Sequence, residues 1–329
     1  MIQRIEYYDF LRGIAIIMVV GIHTFISYPI DTPIGVGVAV VRQILNCAVP
    51  IFLALSGLFL AKKKFENKEE KIKFWKKQIP KVYIPALIWS LPYFMQSITP
   101  PLSVVELLKQ LIKLFLCGFS IYYFIILIVQ YYLLLPVLQK YKKIILPIAV
   151  ILSTLSILLI TYLSKVQGIN LPLIVYAGPF TTWFVFFMLG VYYATSHINY
   201  TVRQSVVLVI IGLILECIET YYLNTNYGGG YGIKLSSFIY SAGVIMLLLT
   251  PKMKSMYKSN KLTSTISYIG SISFGIYLIH YFVIRITNFM LPVKSWALSW
   301  LIVIMITSIS IMISRKILPQ KIHKYLGFS

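Results

Sequence analysis

Charge is scarce in this sequence, and acidic charge scarcest of all: 12% of its 329 residues are Asp, Glu, Lys or Arg, and only 9 are acidic. A soluble domain carries about a quarter charged residues, so an ordinary water-soluble globule is excluded. Cysteine is nearly absent. Cys47, Cys117 and Cys217 stand in apolar surroundings without paired spacing, which argues against a disulfide framework and a zinc site and makes them core thiols. Long polar segments are missing as well. The longest, KKKFENKEEKIKFWKKQIPK, leaves no room for an appended soluble catalytic domain, so any chemistry must come from the apolar body and its short loops. No repeat of fixed period occurs. The first apolar stretch has no small-residue cleavage site and runs straight into another, so it is expected to stay as an anchor rather than leave as a signal peptide.

What is present is apolar: 59% of the residues are hydrophobic, with a mean hydropathy of +0.83. Runs long enough to span a bilayer fall at about 8–28, 36–60, 82–98, 120–138, 144–163, 176–195, 205–223, 234–251, 265–289 and 295–314. The expected fold is all-α, a polytopic transmembrane bundle of about ten helices forming a single domain over 1–329, with a basic cytoplasmic loop at 61–81. The net charge of +21 would suggest nucleic acid in a soluble chain. Its distribution points to topology instead, and no nucleic-acid partner is expected. With the N-terminus inside, 23 of the 30 Lys and Arg fall in or beside cytoplasmic segments: Arg4, Arg12, nine lysines from Lys62 to Lys81, Lys140 to Lys143, Arg203, Lys252 to Lys261, and the tail from Arg315. The outer face has Lys109, Lys113, Lys165, Lys234 and Lys294, while Arg42 and Arg285 are intramembrane. Both termini are therefore expected inside.

In the first stretch, DFLRGIAIIMVVGIHTF, His23 follows Arg12 by eleven positions. Eleven helical steps of 100° nearly complete three turns, so both side chains share a face, about 16 Å apart along the axis. The cation then lies near the surface and the imidazole deep in the hydrocarbon, where ionisable groups mark pathways or reactive sites. Asp9, one turn before Arg12, either orients the guanidinium or offsets the helix dipole. His23, Arg42, Glu216, Glu219, His280 and Arg285 come from four different spans yet all fall in the outer half of the membrane, where they could surround a polar cavity. Each has a plainer reading. His280 could be an interhelical hydrogen-bonding group, Arg42 and Arg285 could snorkel, and Glu216 and Glu219 could simply neutralise those arginines. His197 and His323 fall in cytoplasmic segments.

The lysine-rich loop serves either as a topology determinant touching anionic lipid or as a dock for a phosphate-rich ligand. Outside, ITPPLSVVELLKQLIK joins a proline pair to an amphipathic stretch. Tyr222, Tyr227 and Tyr231 flank a glycine-rich loop, either as interfacial anchors or as a stacking surface for a sugar.

The segment YYDFLRGIAIIMVVGIH resembles the first helix of the membrane acyltransferase-3 family, the integral-membrane O-acyltransferases of bacterial surface glycans. Three further stretches agree in order: AVPIFLALSGLFLAKKK, QYYLLLP and ISYIGSISFGIYLIH. The family's basic strip after the second helix uses arginine, whereas Lys76, Lys77 and Lys81 stand here; lysine neutralises phosphate but lacks the bidentate fork. The resemblance implies a bacterial plasma-membrane enzyme with no bound cofactor, taking acyl-CoA, foremost acetyl-CoA, as donor. Arg12, Lys76, Lys77 and Lys81 would hold the donor. His23, with Arg12, would be catalytic, as general base or nucleophile. Glu216, Glu219, His280, Arg42 and Arg285 are candidates for the catalytic or acceptor site. The implied partners are a surface polysaccharide or lipid-linked glycan, membrane lipid and glycan-synthesis machinery. A solute transporter or flippase and an export-accessory subunit are the competing functions. A transporter would more naturally show paired repeats with broken helices.

Overall fold

The apolar runs fold as helices. The computed structural model describes residues 6–98, 103–196, 200–291 and 293–328, and among them there is no strand. In chain order the helices are α1 (Glu6–His23), α2 (Pro33–Ile44), α3 (Ala48–Leu60), α4 (Lys68–Ser97), α5 (Val104–Phe115), α6 (Tyr123–Lys140), α7 (Lys142–Thr161) and α8 (Leu173–Ala177). They continue as α9 (Phe180–Thr195), α10 (Val202–Tyr227), α11 (Leu235–Leu249), α12 (Pro251–Met256), α13 (Lys261–Ser271), α14 (Ser273–Met290), α15 (Trp296–Ile317) and α16 (Gln320–Leu326). Arg4, His197 and the proline pair at 100–101 lie outside the described residues.

All ten expected runs are helical, but fewer meet the demands of a bilayer span. Six segments are long and apolar enough: Pro33–Leu60, Ser120–Lys140, Lys142–Val166, Leu173–Thr195, Val202–Tyr227 and Trp296–Ile317. A seventh arises if α13 and α14, bent by 78° at their junction, form one span. The remaining three fall short for separate reasons. In α1, Glu6, Asp9 and Arg12 share 18 residues, the first half of α4 is charged, and α11 has only 15 residues.

Two boundaries differ from expectation. The basic segment is a loop only as far as Asn67, whose side chain accepts from the Glu70 N–H and caps α4; Glu69 and Glu70 then suit the positive end of the helix. Its later lysines therefore ride on a 30-residue helix. The first helix stops at His23 rather than near 28. Near its end the Trp296 indole donates to Gly21 O at 2.9 Å, which gives a terminal carbonyl a partner outside the helix.

Small residues set the packing around α1. A side chain at Gly13 would collide with the Ile266 carbonyl of α13, and one at Gly270 with the Asp9 carbonyl, so the two backbones touch. Gly57 and Gly190 bring α3 and α9 together in the same way. Close approach through small residues is how helices associate where lipid removes the usual hydrophobic drive. The QYYLLLP stretch of α6 is structural: Gln130 accepts from Phe180 N–H at 3.1 Å and donates to Gly178 O at 2.8 Å, and Tyr131 stacks on Phe187 at 4.2 Å. On α5, Val104, Val105, Leu108, Ile112 and Phe115 are exposed while Leu114 is buried, the pattern of a helix lying in a membrane interface.

Candidate active site

Helix α1 is the axis of the site. Arg12 donates to Asp9 Oδ1 at 3.0 Å, so the i,i+3 partnership is realised, and its guanidinium lies 4.7 Å from the Phe59 ring centroid. A cavity of about 310 Å³ is lined by both Arg12 and His23. It lies between α1, α3, α6 and the α13–α14 break, with Ser56, Ser271 and Ser273 among its polar lining groups. Gly270 also lines it, so the bend that closely packs α13 against α1 helps to open the cavity.

His23, the last residue of α1, also lines a second cavity of about 170 Å³ with Arg42, Asn46, Tyr176 and Trp183. The imidazole thus stands where two cavities meet. His280 is buried with its ring centroid 5.3 Å from that of His23, and Tyr281 stands edge-on to His23 at 6.0 Å. Both atoms near His280 Nδ1 are carbonyl oxygens, Ile276 O at 3.0 Å and Tyr277 O at 2.8 Å. Nδ1 therefore carries the proton, and in the neutral ring Nε2 holds the lone pair. That Nε2 is buried and has no hydrogen-bond partner among the described residues.

Behind the second cavity lies a buried ionic network. Lys234 Nζ donates to Glu216 Oε1 at 3.1 Å and to Gln43 Oε1 at 2.7 Å. Asn46 donates to the same Glu216 oxygen at 2.5 Å and accepts from Arg42 at 2.5 Å. Glu219 instead accepts from the backbone N–H of Ser236 at 3.0 Å and from its hydroxyl, at the start of α11. A family model described as an acyltransferase domain, of the acyltransferase-3 type, matches residues 5–315.

The chain belongs to the acyltransferase-3 family. With its apolar helices, this makes it a multi-pass membrane acyltransferase. No curated protein and no solved structure matches the chain.

Within this acyltransferase the six outer groups named from sequence do not form one cluster. His23 and His280 meet, and Arg42 and Glu216 share Asn46. Arg285 is exposed, bonds Gln96 at 2.6 Å and stacks near Tyr93 at 5.7 Å. Among the described residues neither glutamate forms an ion pair with an arginine: the partner of Glu216 is Lys234, and Glu219 caps a helix. Lys76, Lys77 and Lys81 are exposed on α4 and do not line the cavities, although the adjacent Val82 does. Tyr222 and Tyr227 are exposed and pair at 6.2 Å, whereas Tyr231 packs apart from them on Phe25 at 4.9 Å. Cys47 and Cys117 are buried free thiols, and Cys217 is half-buried.

Sequence reasoning missed Lys234, Gln43 and Asn46. The i,i+4 spacing of Arg42 and Asn46 inside an apolar run was a usable signal. Lys234 carried none, because a lysine beside a glycine-rich loop reads as a surface charge.

Proposed function

We propose that the protein moves an acyl group, foremost acetyl, from cytoplasmic acyl-CoA to a hydroxyl of a surface polysaccharide or lipid-linked glycan on the opposite side of the bacterial plasma membrane. The observation that carries this reading is that His23 lines both cavities while Arg12 lines one and Arg42 the other. The donor's phosphates sit outside the Arg12 end, among Arg12, Lys76, Lys77 and Lys81, and the pantetheine arm threads the larger cavity toward His23. The acceptor hydroxyl enters the smaller one.

At the junction His23 works by one of two routes. As general base it takes the hydroxyl proton while the oxygen attacks the thioester carbonyl; CoA thiolate leaves and takes up a proton. As nucleophile it accepts the acyl group first, CoA leaving as thiolate; the acceptor oxygen then displaces the imidazole, and the hydroxyl proton ends on the CoA thiolate. Either way the two substrates meet at one imidazole without crossing the membrane. Glycan-synthesis machinery would present the acceptor, and lipid contacts the basic end of α4.

The test is donor binding to detergent-solubilised protein. A ligand specific to the folded state raises apparent stability by mass action, so acetyl-CoA raises the unfolding temperature in a dose-dependent manner. No effect on active protein would move the assignment to solute transport.

A further inference from the structure

We infer that the acceptor is an anion, and that a carboxylate or phosphate on it docks against Arg42 in the smaller cavity while its hydroxyl faces His23. This rests on the acyl-transfer reading and deepens it.

Arg42 is 6% exposed and lines the cavity beside His23. A guanidinium offers five donors and stays charged in proteins. Here one nitrogen donates to the neutral amide of Asn46 at 2.5 Å, the group lies 5.6 Å from the Phe25 ring, and Nε is buried with no partner. Among the described residues no carboxylate lies within 4.0 Å of it. The two nearby acids are committed elsewhere. Glu216 Oε1 takes both Lys234 and Asn46, and Glu219 takes the Ser236 N–H and hydroxyl. The second oxygen of Glu216 is also without a hydrogen-bond partner, yet it stands beyond ion-pair reach of Arg42.

A buried cation without a counterion is strongly disfavoured, and such a group is tolerated where something neutralises it in use. Lys234 is in direct ion contact with Glu216, whereas Arg42, the cation facing the cavity, has no carboxylate in ion-pair contact among the described residues. A planar guanidinium is matched by an oxyanion, which it can hold through two parallel N–H bonds. Such a grip would also set the distance from the acceptor's charged group to the hydroxyl delivered to His23. Trp183 and Tyr176 form aromatic walls of the same cavity, suited to the apolar faces of a sugar ring.

The experiment compares envelope glycans from cells with and without the protein, and identifies by mass spectrometry the unit that gains an acyl ester. An ester on a unit bearing a carboxylate or a phosphate is expected, and which of the two is present names the source of the charge. An ester on a neutral unit of an uncharged glycan overturns the inference and leaves acyl transfer standing. No gained ester anywhere sinks both. Arg42→Gln, at equal membrane abundance, should lower ester formation at least tenfold while acetyl-CoA stabilisation of the purified variant stays unchanged, and Arg42→Lys should recover part of it. Undiminished ester in Arg42→Gln overturns the role of the guanidinium. If Arg42→Gln does not fold, the location of the ester in wild-type cells still decides.

Discussion

His23, which lines both cavities, and His280 hold their rings 5.3 Å apart, and the second ring is locked by two backbone carbonyls. The lock fixes the tautomer of His280 and leaves its buried Nε2 without a hydrogen-bond partner among the described residues. We predict that His280 positions His23 by ring contact. Small misplacements of a reacting group can cost about a hundredfold. His280→Ala should lower kcat by up to about that factor with KM for acetyl-CoA within twofold. Initial-rate kinetics on purified protein checks this. An unchanged kcat would reduce His280 to filling.

The Lys234–Glu216 pair makes a stability prediction independent of function. Both side chains are essentially inaccessible, at 1% and 0%. Removing one member of such a pair leaves the other as an uncompensated buried charge, at about 3–5 kcal/mol. Lys234→Met should therefore destabilise strongly, while Lys234→Met combined with Glu216→Gln should regain most of the loss. Unfolding of both variants in the same detergent measures the coupling.

Arg12 is predicted to serve the donor alone. Arg12→Ala should weaken acetyl-CoA binding, and Arg12→Lys should restore only part, because lysine keeps the charge and loses the planar fork. Calorimetry with purified protein reads both. Equal binding by all three proteins would remove Arg12 from the donor site.

The three exposed lysines are predicted to act by charge rather than by contact in a cavity. Replacing Lys76, Lys77 and Lys81 with Gln should raise the donor KM severalfold without shifting acceptor preference, and the difference should shrink as salt rises, since exposed charges are screened within about 10 Å at 0.1 M. A change confined to acceptor use would put them on the wrong side of the reaction.

Much of this arrangement was legible because helical periodicity is local. The spacing of Arg12 and His23 alone placed both on one face, and a single cavity is lined by both. The ten apolar runs appear as helices for the same reason. What periodicity cannot show is which helix faces which. That is why Arg285 seemed to belong with His23 but instead meets Gln96, and why Glu216 seemed destined for an arginine but meets Lys234 across 18 positions of sequence. The end of α1 was misplaced, and the indole that meets it there, Trp296, is contributed by α15. The α13–α14 bend left no signal stronger than a serine-rich stretch, and it is what opens the larger cavity beside Ser271 and Ser273.

In the proposed mechanism His23 transfers the acyl group between two substrates held in separate cavities. The most direct test measures ester formation and donor binding together in His23→Ala and His23→Gln, at membrane abundance equal to the wild type. A general acid–base group is worth about a hundred- to ten-thousandfold, so both variants should lose acyl transfer by at least the lower factor while acetyl-CoA still raises their unfolding temperature. Near-normal ester formation in either variant would contradict the account.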